Sequence, residues 1–160
     1  MAESTVVAVP RDGVITITNG DATVYTVAYE AGDFSMNLDK AERIVIYDRA
    51  SIVGLRSGND PVPSVSFSCH LREFANASAD TLLDFIYKTG NSAAATSTGG
   101  TGFEQFLCTL EFQANMSALS GSNTKITFGK VLLSAAVSEG SPDTINISGE
   151  VYGTVTRAAV

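Results

Sequence analysis

The chain has 160 residues, 44% of them hydrophobic, and a formal net charge of −7, with two cysteines, one histidine and no tryptophan. That length and apolar content support one domain with one core. The acidic balance excludes a protein that grips nucleic acid by neutralising phosphates, which needs clustered Lys and Arg.

Two β-branched runs in "GVITITNGDATVYTVAYE" meet at Asn19-Gly20, the dipeptide that best supplies the positive backbone angles of a tight turn, and predict a hairpin over residues 13–30. "FSMNL" and "ERIVIYD" predict a further strand pair, turning at the charged Asp39 and Lys40. "LRSGNDPVPS" is too rich in Gly, Asn, Asp and Pro for a sheet ladder and predicts a loop over residues 56–64. In "SVSFSCHLREF", Val65, Phe67, Cys69 and Leu71 alternate with Ser64, Ser66, Ser68, His70 and Arg72, so this strand has one packed face and one wet face.

The pattern then changes period. "NASADTLLDFIYKTG" predicts a helix over residues 79–88, capped by Ser78, with Asp80 at its positive end, an apolar stripe of Leu82, Leu83 and Ile86, and a stop at Gly90. A helix so short is stable only if the stripe docks on a sheet. "TGNSAAATSTGGTG" is small and polar throughout, offers nothing to pack, and predicts a long mobile loop over residues 89–103.

Three strands follow. In the first, Phe106, Cys108, Leu110, Phe112, Ala114 and Met116 alternate with Leu107, Thr109, Glu111, Gln113 and Asn115. In the second, the apolar set is Ile126 and Phe128, then Val131, Leu133, Ala135 and Val137, a slip of phase near Gly129 that predicts a bulge or bend. In the last, Ile145, Ile147, Val151 and Val155 oppose Thr144, Asn146, Glu150 and Thr154. The expected fold is mainly β: an antiparallel β-sandwich or partly closed barrel flanked by one short α-helix, in a single domain with arms at residues 1–12 and 157–160.

Chemistry is harder to find. Ser66 and Ser68 share a strand with His70, about 7 Å away per two-residue step, outside the reach a nucleophile needs to its base. Cys69 and Cys108 lie on apolar strand faces without metal-ligand spacing, which reads as two buried thiols, a disulfide between neighbouring strands being the alternative. The carboxylates are spread among turns, no EF-hand is present, and "TSTGGTG" lacks the Lys of a phosphate loop. Tyr25 and Tyr29 share a strand face, the pattern of cross-strand packing, and the missing tryptophan disfavours a sugar-binding surface. Neither a catalytic site, a cofactor site nor a metal site is expected. No secretion signal and no apolar segment of membrane-spanning length is visible, so synthesis in a cytoplasm is expected, and the sequons at Asn76, Asn115 and Asn146 read as chance.

The order of parts is more telling. The hairpin "GVITITNGDATVYTVAYEAGDFS", the segment "IVIYDRASIVGLRSGNDPVPSVSF", the helix "TLLDFIYKTG", the Gly/Ser/Thr loop, "LEFQ" and the closing "FGKVLLSAAVSEGSPDTINISGEVYG" together resemble a tail tube protein of a tailed bacteriophage. The resemblance implies a structural protein that closes into hexameric rings, its sheets joined into one barrel, stacked into a hollow tube through which DNA passes without sequence-specific binding. It also implies contacts with a tape-measure protein and with tail terminator and baseplate proteins, in a virion tail assembled in the host bacterial cytoplasm. On that reading Glu30, Asp33, Asp39 and Glu42 are candidate lumen residues, where an acidic wall would let phosphates slide. Arg56, Asp60, His70, Arg72, Thr89, Gly99, Gly100 and Phe103, with both arms, are candidate contacts between subunits. Contractile and non-contractile tails are equally compatible. The competing readings are a monomeric β-sandwich that binds carbohydrate or protein, and a hydrolase on a jelly-roll scaffold.

Overall fold

The computed structural model describes residues 13–27, 33–39, 41–72, 76, 78–115, 122–140 and 143–160. The N-terminal arm, Tyr29 and Glu30 therefore lie outside the described residues.

β1 (Gly13–Thr18) and β2 (Val24–Thr26) form the expected hairpin, with Ile17 opposite Tyr25 and with Ile15 and Ile17 fully buried. Its turn differs from the expected tight Asn-Gly type. Asn19 Oδ1 accepts from the amides of Asp21 (3.0 Å) and Thr23 (2.9 Å), and the left-handed residue is Ala22. Gly20 serves close approach instead: a Cβ there would lie 2.5 Å from Thr96 Oγ1 and 2.7 Å from the Ser97 carbonyl.

The predicted pairing of "FSMNL" with "ERIVIYD" is overturned. β3 (Ser35–Asn37) pairs with β6 (Ser64–His70), while β4 (Arg43–Asp48) pairs with β5 (Ser51–Ser57) in a separate two-stranded sheet. Arg49 and Ala50, both left-handed, make the β4–β5 turn, so a primed turn formed without the glycine that would have announced it. Since β5 runs to Ser57 and β6 starts at Ser64, the loop between them is shorter than expected. β6 itself ends at His70, leaving Leu71 and Arg72 beyond it.

β7 (Cys108–Ala114), β8 (Thr124–Ser138), β9 (Thr144–Val151) and β10 (Val155–Ala159) complete the main sheet, ordered β2-β1-β7-β8-β9-β6-β3, with β10 also on β8 and every pairing antiparallel. β8 is 15 residues long and serves two half-sheets: its first half pairs with β7 and β10, its second with β9. They meet where the phase slips, at Gly129 and the left-handed Lys130, opposite a register shift in β7. There the link from β9 to β10 turns the same corner, Gly153 N–H donating to the Gly129 carbonyl and Gly129 N–H to that of Thr154, both at 3.0 Å. Residues 157–159, expected in a C-terminal arm, belong to β10 and pair with residues 124–126 of β8.

Bent at this corner, the sheet folds over a core that joins Ile15, Ile17, Leu110 and Phe128 of one half to Val65, Phe67, Ile145 and Ile147 of the other. Phe34, next to β3, stacks on Phe112 of β7 with ring centroids 4.3 Å apart, bringing the far ends of the strand order together. Among the described residues the end strands β2 and β3 do not pair, so the fold is a sandwich and the barrel stays open. Cys69 and Cys108 are buried in it as free thiols. Leu107, placed by alternation on the wet side, is fully buried because it precedes the strand proper and the register shift in β7.

The helix α1 (Leu82–Tyr87) is shorter than predicted, and its cap is Thr81 rather than Ser78: the Thr81 hydroxyl accepts from the Asp84 amide at 3.2 Å. Phe85, outside the predicted stripe, is its most buried residue and contacts Tyr25 at 5.7 Å between ring centroids. The segment after it also has more to pack against than its composition suggests. Thr96 bonds the Asp21 carboxylate through both N–H (2.7 Å) and hydroxyl (2.8 Å), Ser97 Oγ accepts from the amide of Leu107 (2.9 Å), and Ala95 and Gly99 are buried.

Candidate assembly interface

The β4–β5 hairpin stands apart from the sandwich and is apolar on both faces. Cross-strand partners share a face: Val45 with Leu55 and Tyr47 with Ile52 make one, while Ile44 and Ile46, beside Arg56 and Gly54, make the other. Water reaches nearly all of it, with Tyr47 63%, Ile52 68%, Val53 61% and Leu55 63% exposed. A lone two-stranded hairpin is marginal in water, and an exposed apolar strand invites association. A strand apolar on both faces suits burial on both faces. The unbroken run "IVIY" lacks the polar alternation of a half-exposed strand, but by itself it does not say whether both faces meet this chain's core or another surface.

The second surface is the polar face of the half-sheet β8-β9-β6-β3. The registers align Ser134, Ser148, Ser66 and Ser35 in one row across four strands. The adjacent row runs Leu132, Glu150, Ser64 and Asn37, and on the other side lie Ala136, Asn146 and Ser68, then Ser138, Thr144 and His70. These rows contain one carboxylate, Glu150, which accepts from the Tyr152 hydroxyl at 2.5 Å. The wet face of "SVSFSCHLREF" is thus one strip of a wide hydroxyl-lined wall.

Of the candidate acidic residues, Glu30 lies outside the described residues and Glu42 lies apart from the other two. Asp33 accepts from the Ser68 hydroxyl and Asp39 from the Asn37 side chain at 3.1 Å, so both lie by the β3 end of this wall. Glu42 sits at the root of the hairpin, its carbonyl accepting from Gly58 N–H at 2.6 Å. Of the candidate contact residues, Arg56 is in the hairpin and Asp60 is exposed in the loop after it. His70 and Arg72 line a cavity of about 510 Å³ between β6 and α1, together with Tyr25, Cys69, Asp80 and Leu82. Thr89 donates its hydroxyl to Asp84 at 2.9 Å and so helps to close the helix. Gly99 is buried, where a Cβ would come within 2.8 Å of Phe103, while Gly100 is exposed with φ of 69°. Phe103 is an exposed aromatic edge near Tyr152, with Lys130 Nζ 4.6 Å from its ring centre.

Neither cysteine is equipped as a nucleophile. Burial raises the Cys69 thiol above its ordinary range and pushes Cys108 up to about 12, so both are protonated at neutral pH. Among the described residues no three His, Cys, Asp or Glu side chains are grouped to hold a metal ion, and no helix is long and apolar enough to cross a membrane.

No family model and no curated protein matches this sequence. Solved structures do. A chain of the sheath–tube complex of an extracellular contractile injection system, PVC, in its extended state is similar over 91% of this chain and 88% of its own, with TM-score 0.56 and 10% identity. A chain of the PVC sheath/tube terminator is similar over 99% of this chain and all of its own, with TM-score 0.57 and 11% identity. A chain of the anti-feeding prophage cap, the tube-terminating cap, is similar over 100% of this chain and 95% of its own, with TM-score 0.55 and 14% identity. At such identities the likeness is one of fold, and all three chains come from structural assemblies, not enzymes.

Proposed function

We propose that this chain is a structural subunit that self-assembles into stacked hexameric rings, forming the hollow tail tube of a bacteriophage or phage-like particle. The observation that carries this reading is the β4–β5 hairpin, whose two apolar faces are too exposed to serve a monomer and suit insertion between other copies of the chain. The fold shared with chains of tube, terminator and cap assemblies supports it. In such a tube the hydroxyl-lined wall faces the lumen, with Asp33 and Asp39 along one margin, and Glu30 and Glu42 as further acidic candidates. A wall without Lys or Arg in its rows offers phosphates no grip, so DNA passes without specific binding. A tape-measure protein inside, terminator and baseplate proteins at the ends, and assembly in a bacterial cytoplasm complete the proposal.

The neighbours also include a terminator and a cap, which favours a second reading, a ring that ends a tube. Negative-stain electron microscopy of the concentrated protein, paired with light scattering for mass, separates the two. Hollow sixfold tubes support the first, single rings the second, and a protein that remains monomeric at every concentration refutes both.

A further inference from the structure

The hydroxyl-lined half-sheet ends on two edges with which no described strand pairs. One is the outer edge of β3; the other is β8 beyond Val131, where β7 no longer reaches and β9 occupies only the opposite side. In the middle of that second edge, the Tyr87 hydroxyl holds both backbone groups of one residue. It accepts from Ala135 N–H at 3.1 Å and donates to the Ala135 carbonyl at 3.3 Å. A residue facing outward from an antiparallel edge exchanges this same pair of bonds with an incoming strand.

We propose that Tyr87 guards this edge: a second copy's β3 adds to β8 at Ala135 only after the phenol swings away, so the tyrosine sets the concentration at which rings close. The inference rests on the ring reading above. β3 of a second copy is the occupant because register selects it. With Met36 set opposite Ala135, Ser35 and Asn37 fall on the same face as Ser134 and Ala136, and the polar rows continue from one subunit into the next. Met36 is 42% exposed at its own edge, and it then gains apolar cover from the core side of β8. Tyr87 is suited to leave, being already 52% exposed at the last position of α1 and held to the edge by two hydrogen bonds. Protecting an edge until the right strand arrives is a common need of sheets with open ends.

The test compares wild type, Tyr87→Phe and Ala135→Pro by light scattering and negative-stain microscopy over a concentration series, with thermal melts of each. Tyr87→Phe keeps the ring and removes the edge bonds, and the expected result is assembly at about fivefold lower concentration. Ala135→Pro removes the N–H that an added strand needs while leaving the β9 side paired, and the expected result is a folded protein that forms no rings. Wild-type rings with Tyr87→Phe assembling at an unchanged or higher concentration overturn the guard and leave the ring reading intact. So does a Tyr87→Phe protein that loses thermal stability without assembling more readily, the result of a purely structural tyrosine. Ala135→Pro that folds and assembles normally overturns the choice of edge, and a wild type that never assembles removes the ring reading and the guard together.

Discussion

Replacing Ile52, Val53 and Leu55 together by serine separates assembly from folding. These side chains are 68%, 61% and 63% exposed in the isolated chain, so they contribute little to its stability. Fully burying an aliphatic side chain is worth about 1.5–3 kcal/mol, and since roughly two-thirds of each remains to be buried, each contributes about 1–2 kcal/mol to a contact that covers it. The triple variant therefore loses about 3–6 kcal/mol per inserted hairpin, which raises the assembly concentration about a hundredfold to ten-thousandfold. Serine adds no charge, so repulsion does not confound the result. Sedimentation velocity across a concentration series reads the assembly, and a thermal melt, expected within a few degrees of wild type, reads the fold. Assembly at the wild-type concentration would refute the hairpin as an interface. A large fall in melting temperature would refute the premise that these side chains lie outside the monomer's core.

Gly149→Val fills a slot that does not exist, since a Cβ there would lie 2.8 Å from Val131 Cγ1, 2.9 Å from Val65 Cγ2 and 3.0 Å from Leu133 Cδ2; overpacking of this kind costs about 1–3 kcal/mol, seen as a lower melting temperature or denaturant midpoint. The Cys108 thiol, pushed from 9.0 to about 12 by burial, ionises in the unfolded chain before it does so in the folded one, so it favours folding fully below pH 9 and stability falls as pH rises above that. Between pH 9 and 10 the loss is about 1 kcal/mol, a slope that Cys108→Ala removes and that denaturant titrations at the two pH values measure. The Asp21 carboxylate is held below its ordinary value first by the Thr96 backbone N–H and then by the Thr96 hydroxyl. Its contribution is therefore present above the usual carboxylate range and is lost as pH falls through the folded value, so in Asp21→Asn the Thr96 amide exchanges faster at neutral pH and its protection no longer changes on acidification.

Much of the sandwich follows from alternation that only a strand can use. Val65 and Phe67, and Ile145 and Ile147, were readable as core because period-two patterning fixes which side chains share a face, whatever the partner strand. The bend at Gly129 was readable for the same reason: a change of phase leaves a strand no other way to keep both apolar sets inside. Pairing was not readable, since "FSMNL" and "ERIVIYD" are both good strands and nothing local says that the first joins β6 and the second leaves the sheet. Caps went the same way, since Ser78 and Thr81 are both competent and the choice falls to the one beside Asp84 once Phe85 has docked on Tyr25.

The sequence by itself determined a mainly β, acidic chain with one short helix and both cysteines on apolar strand faces, because these rest on composition and on periods set by backbone geometry. Only the tertiary structure decided that the apolar run "IVIY" stays outside the core, that four serines line up in one row across four strands, and that the Tyr87 hydroxyl sits on the open edge of β8. Each of these depends on which strands become neighbours and in what register, and register is a property of the whole sheet, chosen by burial and loop closure rather than by any strand alone.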